Sequence, residues 1–516
     1  MSEKKYPVGI RDFGKLRSEG YFYVDKTAQI YKMINAGSHY FLHRPRRFGK
    51  SLLVSMLEAF FLGKKELFEG LAIETLEKEW TVRPVLHLDL SVQKYDTQDS
   101  LENQLNGTLA EWEKRYGTET VEKSLPMRFA GIIEQACLKE GQRVVILVDG
   151  YDKPVLDAMG NETLCESFRN MLEAFYCVTK NADEHIEFTL LVGTSRMGDS
   201  GAFSGLDNMI DISMQTEYAD ICGISEQELR DNFTSEINKL ATAREITPAE
   251  AYAELRKHYG GYHFGHDALE VYNPFSLFNA LKSKAFGNYR LITDASAYLT
   301  ELLKKSSYDL DEILNIGVPE SVLMGIHASS DNPVSVFYQT GYLTIRDYDP
   351  SLKLCTLGFP DCEVEQGFMN FLLSFHTRFN KTEAAFEIQK CVHEVRMGQP
   401  NAFFHRLQSF FAGTPHGLAC ASELHCRNML FVVFRLMSFS IEVEYHSSKE
   451  CIDLILQTDS YIYIMKFMPE GTAEEVVAQM NEEKHALSFA TNQRRVFKIG
   501  VNFNNKIRNI ERWIVE

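Results

Sequence analysis

A chain of 516 residues with 45% apolar and 24% charged side chains has the composition of an ordinary globular protein. It is too long for one hydrophobic core, which calls for two or three domains. A formal net charge of −17 argues against a protein that coats nucleic acid non-specifically, although a local basic groove stays open. The ten cysteines show no repeated C-x-x-C spacing, so neither a zinc ribbon nor a disulfide framework is indicated. The nearest approach to a metal cluster, Cys420, His425 and Cys426, lacks a second ligand pair, and buried free thiols are expected. The N-terminus has no apolar signal core and no run is long enough to span a bilayer, so the expected setting is a reducing cytoplasm without a membrane partner.

In chain order, Tyr21-Phe22-Tyr23-Val24 is strand-like, and residues 26–33 have helical spacing with Asp25 as N-cap. Tyr40-Phe41-Leu42 then leads through the basic turn His43-Arg44-Pro45-Arg46-Arg47-Phe48 into Gly49-Lys50-Ser51. A helical pattern follows over residues 51–61, with Leu52, Met56 and Phe60 on one face. Strand, loop and helix start are the order a phosphate-binding loop needs, because the unpaired N–H groups of the first turn carry the positive end of the helix dipole. In the pattern G-x-x-x-x-G-K-[ST], Lys50 reaches the β- and γ-phosphates of ATP and the Ser51 hydroxyl completes the Mg²⁺ shell. Arg44 stands where the first glycine belongs, so the competing reading is a surface turn whose arginines cap a helix. Arg46 and Arg47, inside the loop, are candidate phosphate contacts.

Residues 84–90 read as a second strand, followed by an acidic and polar helical stretch to about Lys139. Val144-Val145-Ile146-Leu147-Val148 is a continuous aliphatic run, as a strand buried on both faces of a parallel sheet should be, and it ends in Asp149. That is the form of a Walker B strand, whose aspartate holds Mg²⁺ through water at the carboxyl edge of the sheet. The next position, where many such ATPases carry the glutamate that polarises water, is Gly150. The metal site is then kept and the general base missing, with Asp152 a poorly placed substitute. A further strand over residues 188–193 ends at Thr194-Ser195-Arg196. Ser195 and Arg196 stand where a polar sensor would lie beside the γ-phosphate, and a helix-capping turn explains them equally well. Strands alternating with helices call for a parallel sheet covered on both faces.

Tyr6-Pro7-Val8-Gly9-Ile10-Arg11-Asp12-Phe13, Tyr23-Val24-Asp25-Lys26-Thr27, Arg44-Pro45-Arg46-Arg47-Phe48-Gly49-Lys50-Ser51-Leu52, Asp149-Gly150-Tyr151-Asp152-Lys153-Pro154 and Phe203-Ser204-Gly205-Leu206-Asp207-Asn208 fall in one order. The series resembles bacterial AAA-ATPase-like proteins fused to a C-terminal PD-(D/E)XK nuclease-like domain. The resemblance implies a P-loop α/β core over residues 1–221, a helical lid and connecting region over 222–384, and a nuclease-like α/β domain over 385–516. It also implies ATP and Mg²⁺ as cofactors, and it places residues 24–27 before the first core strand, near the base or ribose. The family usually reads Asp-Glu-Tyr-Asp-Lys-Pro at the second motif, where this chain has Gly150.

Residues 222–284 turn helical, with Ser225 and Glu228 forming a capping box. Two aromatic motifs, residues 259–264 and 272–276, are family-like and read as packed turns, the first with Gly260 where aspartate is usual. Residues 337–344 and 358–360 resemble a strand pair joining lid to C-terminal domain. In that domain a PD-(D/E)XK site needs an Asp ending one strand and an acidic-x-Lys on the next. Asp453 and Lys466 fill two of these places, but the acidic member falls on Ile464, which cannot bind a hard cation. Glu450-Cys451 replaces the usual Gly-Arg, while Glu423, Glu444 and Gln479 match the surrounding polar positions, and Glu444 is a candidate to rescue a metal. Asp152, Asp453 and Lys466 are thus weak catalytic candidates.

The C-terminal stretch, with Arg494, Arg495, Lys498, Lys506, Arg508 and Arg512, could hold DNA or RNA through phosphates. The alternative is the solvated face of a half-buried strand on which Phe497, Ile499, Val501 and Phe503 alternate. The expected function is an ATP-binding switch, slow or silent in hydrolysis, joined to a degenerate nuclease-like domain. The alternatives are an ATP-gated metal-dependent DNA nuclease and a non-catalytic interaction scaffold. Oligomeric state is not legible.

Overall fold

The computed structural model describes residues 4–117, 124–196, 208–290, 297–306, 308–315, 317–323, 333–377, 379–412, 422–438, 442–447, 452–468, 472–482, 493–504 and 509–516. The chain forms two compact units, the first made of Met1–Glu301, Gly317–Ser330 and Val334–Val364, the second of Leu302–Ile316, Asp331–Pro333 and Glu365–Glu516.

The first unit is built on a five-stranded sheet of β1 (His39–His43), β2 (Val85–Asp89), β3 (Val144–Asp149), β4 (Ile186–Gly193) and β5 (Ile210–Asp211), in the order β2-β3-β4-β1-β5. Every neighbouring pair is parallel, so all the strands end at one edge. β1 and β3 are buried along their whole length, which is why they read as unbroken apolar runs. One face carries the helices Gln98–Tyr116, Leu125–Glu140 and Glu162–Tyr176, whose Leu105, Trp112, Ile133 and Phe168 share a core with Leu86, Ile146 and Val148. The helix Lys50–Phe61 supplies Phe61 to the ring of Phe188 on β4, 5.3 Å between centroids.

Residues 21–24 are not a strand. Tyr21 makes a single bridge to Lys5, and the aromatic side chains pack sideways, Phe22 on Phe233 and Tyr23 on Phe13. β propensity without a neighbouring ladder yields an extended segment. The helix Thr27–Ala36 begins one residue later than expected, with Lys26 and not Asp25 at its N-cap; Asp25, one residue further out, accepts from the Thr27 N–H at 2.9 Å.

The helices Glu226–Arg244, Pro248–Tyr259 and Pro274–Ser283 bury Leu229, Phe233, Leu255, Tyr259 and Phe278 together with Val24. The capping box at Ser225 and Glu228 is formed in both directions. A short antiparallel pair, β6 (Ile224–Ser225) and β7 (Val271–Tyr272), lies beneath them. An antiparallel sheet of β8 (Val318–Pro319), β9 (Thr344–Asp349) and β10 (Leu354–Gly358) follows. Residues 337–339 lie in a buried helix, Val334–Gln339, and not in the strand expected there. Complete burial overrides the β preference of its Val and Phe.

The second unit carries helices before a mixed sheet of β11 (Glu442–Ser447), β12 (Ile452–Gln457), β13 (Tyr461–Met468), β14 (Arg495–Asn504) and β15 (Asn509–Val515), paired in that order. Only β13 and β14 run parallel within it, and the helix Ala473–Glu482 lies in the crossover between them. β14 is interior to the sheet and buried over residues 499–503, not half-exposed. Its polar alternation is interrupted by Gly500, where a Cβ would stand 2.6 Å from Val477 on the crossover helix. Among the described residues no helix is long and apolar enough to cross a membrane.

Candidate nucleotide-binding site

The carboxyl edge of the first sheet gathers the loop after β1, the end of β3 and the N-terminal segment. Arg44 continues the β1–β4 ladder through its N–H to the Gly193 carbonyl at 3.1 Å. Its side chain then turns inward, fully buried. The guanidinium donates to the carbonyls of His43 (2.9 Å), Ser213 (2.6 Å) and Tyr218 (3.0 Å) and lies 4.2 Å from the Phe264 ring. Arg44 is therefore a pin that fastens the loop to residues 213–218, and neither a phosphate contact nor a surface charge.

Arg47 and Gly49 take left-handed backbone angles, φ 72° and 96°. At Gly49 a Cβ would meet nothing within 4 Å, so the glycine is demanded by its backbone angle and leaves open space at the helix start. Lys50 curls back, donating to the carbonyls of Arg44 at 2.8 Å and Pro45 at 3.0 Å. Burial pulls its ammonium down to about 8, against the opposing pull of Asp149 and Asp152. The exposed Arg46 and Arg47 flank the loop, and Arg47 lies over the ring of Phe275 at 4.2 Å.

Asp149 ends β3 in register with Asp89 at the end of β2. These carboxylates and the hydroxyls of Ser51 and Ser91 surround one atom, Nη2 of Arg11. The distances are 2.5 Å to Ser91, 3.2 Å to Ser51, 3.2 Å to Asp149 and 3.5 Å to Asp89. Hard oxygens gathered about a cation are the donor set Mg²⁺ takes, so the residues present fit that ion. Sequence reasoning assigned no role to Arg11, Asp89 or Ser91. The signal for Asp89 was available, since it closes an apolar strand as Asp149 does; nothing local says where Arg11 points.

A cleft of about 270 Å³ lies over this group, with Arg11, Arg47, Lys50, Ser51 and Phe275 in its walls. A narrower apolar cavity of about 100 Å³ shares Pro7, Gly49, Leu52 and Phe278 with it and is closed by Tyr23, Val24, Lys26 and Cys222-Gly223. Lys26 is anchored there by Glu228 at 2.5 Å and Asp220 at 3.5 Å.

Gly150 has φ 75° and donates to the Val192 carbonyl, and a Cβ there would sit 3.3 Å from the Ser91 nitrogen. Asp152 is buried, and its Oδ2 accepts from the Thr194 N–H (3.0 Å), the Ser195 N–H (2.7 Å) and the Ser195 hydroxyl (2.7 Å). Burial raises its pKa, while these donors and Lys50 oppose the rise. Tyr151 donates to the Ser195 carbonyl at 2.7 Å. Tyr151 and Asp152 therefore hold the turn after β4. The Arg196 N–H bonds Gln339, and its guanidinium pairs with Asp211 at 3.3 Å.

In the second unit, Asp453 stands opposite Lys466 in the β12–β13 ladder, with 3.9 Å from Oδ1 to Nζ. Ile464 is buried with Ile462, Val476 and Met480. A hydrophobic cluster thus fills the place of the second carboxylate. Glu444 is exposed, opposite Ile455, and Gln479 is exposed on the crossover helix. The side chains of Glu423, His425 and Cys426, together with Cys420, Glu450 and Cys451, fall outside the described residues. Among the described residues there is no group of three or more His, Cys, Asp or Glu able to hold a metal. Arg494 bonds Gln457 and the Thr458 carbonyl, Arg495 lies over Phe497, and Arg512 pairs with Glu474. Lys506, Arg508 and the motif residues 203–207 are outside the described residues.

A family described as a predicted AAA-ATPase matches residues 7–203, and one described as the PD-(D/E)XK nuclease superfamily matches residues 421–513. A relative from Azotobacter chroococcum mcd 1, described as an uncharacterized protein in the vnfD 5′ region, is 28% identical, with 100% of this chain and 99% of the relative covered. The chain is accordingly an AAA-ATPase-like protein fused to a C-terminal PD-(D/E)XK nuclease-like domain.

Proposed function

We propose that this chain is a nucleotide switch: it takes ATP with Mg²⁺ in its P-loop site, hydrolyses it slowly or not at all, and is coupled to a nuclease-like domain that no longer cuts. The observation that carries the reading is the convergence of Lys50 and Ser51 on one cleft at the carboxyl edge of a parallel sheet, with Asp149 and Ser51 each 3.2 Å from the same Arg11 nitrogen. Lys50 and the free N–H groups of the helix start would hold phosphate oxygens. Ser51 and Asp149 would hold the metal, with Arg46 and Arg47 at the rim. The adjoining apolar cavity suits the flat face of a base. When bound, Mg²⁺ neutralises charge on the β- and γ-phosphates.

Slow turnover is supported by Gly150, which offers no carboxylate, and by the three donors on Asp152 Oδ2. Coupling to the lid is supported by contacts of the loop itself. Phe48 meets the rings of Tyr262 and Phe264 at 4.8 and 5.2 Å, and Arg47 covers Phe275. A loop that shifts around phosphate cannot leave those rings in place. Loss of cleavage is supported by Ile464 in its apolar cluster. The local partners of Arg494, Arg495 and Arg512 favour a solvated edge over a grip on DNA or RNA.

Calorimetry with ATP and Mg²⁺, beside Lys50→Ala, tests the reading. Micromolar binding abolished by the substitution is expected. A wild-type chain that binds no ATP, or one that turns it over at ordinary enzyme rates, refutes the switch. Mn²⁺-dependent DNA cleavage lost on Asp453→Ala refutes the inactive nuclease domain.

A further inference from the structure

An ordinary structural arginine spreads its fork, two nitrogens against the two oxygens of one carboxylate. Arg11 does something else. A single nitrogen, Nη2, is shared by oxygens of four residues, Ser51, Asp89, Ser91 and Asp149, at 2.5 to 3.5 Å. That is how a small cation is held, and two of the four are the residues read above as metal ligands. Asp89 and Asp149, neighbours in register on parallel strands, repel each other unless a positive charge lies between them. The guanidinium supplies that charge while leaving half of its own surface in solvent.

The backbone carrying Arg11 is fixed firmly on its C-terminal side. Phe13 is fully buried, and its N–H bonds the Ser55 hydroxyl at 3.0 Å, one turn beyond Ser51 on the same helix. Asp12 caps the short helix Phe13–Ser18 by accepting from the Lys15 N–H at 2.5 Å. On the other side the Ile10 N–H donates to the Pro7 carbonyl at 3.4 Å and Lys5 is bridged to Tyr21, and between them Gly9, at φ 77°, has nothing within 4 Å of where a Cβ would stand. Arg11 therefore hangs between a fixed anchor and a glycine with open space around it. Its side chain lines the same cleft as Lys50 and Arg47.

We propose that Arg11 is a tethered cation seated in the metal position of the phosphate site, which a divalent ion must displace before it can bind. The inference rests on the reading of Ser51 and Asp149 as metal ligands, and it adds a residue and a direction of control. Without nucleotide the position is satisfied internally and a free divalent ion is excluded. When nucleotide brings its own ion, the guanidinium swings out, and the cleft it still lines holds polyphosphate oxygens that accept it. The N-terminal segment thereby reports that the site is loaded.

The test is a Mn²⁺ titration of the nucleotide-free full chain followed by electron paramagnetic resonance, using wild type, Arg11→Gln and Arg11→Gln with Asp149→Asn. Removing a half-exposed cation from beside two carboxylates should tighten Mn²⁺ by about tenfold or more. The double variant should lose that gain. Equal Mn²⁺ affinity in wild type and Arg11→Gln overturns the proposal, as does a gain that survives Asp149→Asn. Arg11→Met, which keeps the aliphatic stem, takes the place of Arg11→Gln if the latter melts early. The Lys50→Ala calorimetry separates the two readings. If wild type binds no ATP, the nucleotide switch falls, whereas the Mn²⁺ comparison, made without nucleotide, judges Arg11 by itself.

Discussion

Replacing Arg44 by glycine restores the residue that the P-loop pattern expects, yet it should weaken the protein. The guanidinium is fully buried and serves the carbonyls of His43, Ser213 and Tyr218 while covering the face of Phe264. Burial disfavours its charge and lowers its pKa, so part of each bond only offsets desolvation. Hydrogen bonds to a charged group are worth roughly 1.5–3 kcal/mol each, and a buried carbonyl left without its donor costs about 1–3 kcal/mol. Glycine also leaves a void beside Phe264 and a more flexible unfolded chain. A net loss of about 4 kcal/mol follows, or a melting temperature lower by roughly 8 °C at about 2 °C per kcal/mol for a domain of this size. Arg44→Lys should lie between, because one ammonium cannot serve three separated carbonyls. Calorimetric melting of the full chain is the assay, with urea unfolding as its check. A glycine variant that melts within about 1 °C of wild type would refute the pinning role.

Two further perturbations probe the same edge of the sheet. Gly150→Glu supplies the carboxylate that the family usually carries, but it puts a Cβ at φ 75° and 3.3 Å from the Ser91 nitrogen. We expect a stability loss of about 1–2 kcal/mol and no gain in ATP hydrolysis; brisk turnover at unchanged stability would refute this. Lys50 titrates near 8 in the folded protein against an ordinary 10.5. Its buried charge therefore costs stability below that value, and the cost fades as pH rises from 8 toward 10.5. Polyphosphate favours the charged form, so ATP should bind with uptake of about half a proton near pH 8 and weaken at higher pH. Calorimetry in two buffers of different ionisation heat measures the uptake, and an affinity flat from about pH 7 to 9.5 contradicts it.

Much of the first unit is legible because its signals are local. An unbroken aliphatic run at residues 144–148 has nowhere to go but a strand covered on both faces, and its end at Asp149 marks the ligand edge. Gly49 announces the left-handed turn, and Ser225 with Glu228 announces a helix start, since a capping box closes within one turn. Where the signal was propensity without pairing, it failed. Residues 21–24 found side-chain partners in place of a ladder, residues 337–339 were drawn into a buried helix, and β14 became interior because a neighbouring strand covers each of its edges.

The sequence by itself determined which chemistry is present: a lysine and hydroxyl at a helix start, an aspartate at a strand end, no glutamate at position 150 and no carboxylate at position 464. Only the tertiary structure decided what the remaining charges do. Arg44 and Arg11 are indistinguishable as letters, yet one is buried against Phe264 and the other sits half in solvent among four oxygens. A charge acquires its role from the distances and burial around it. Residues 78 and 138 positions away in the chain set those for Arg11.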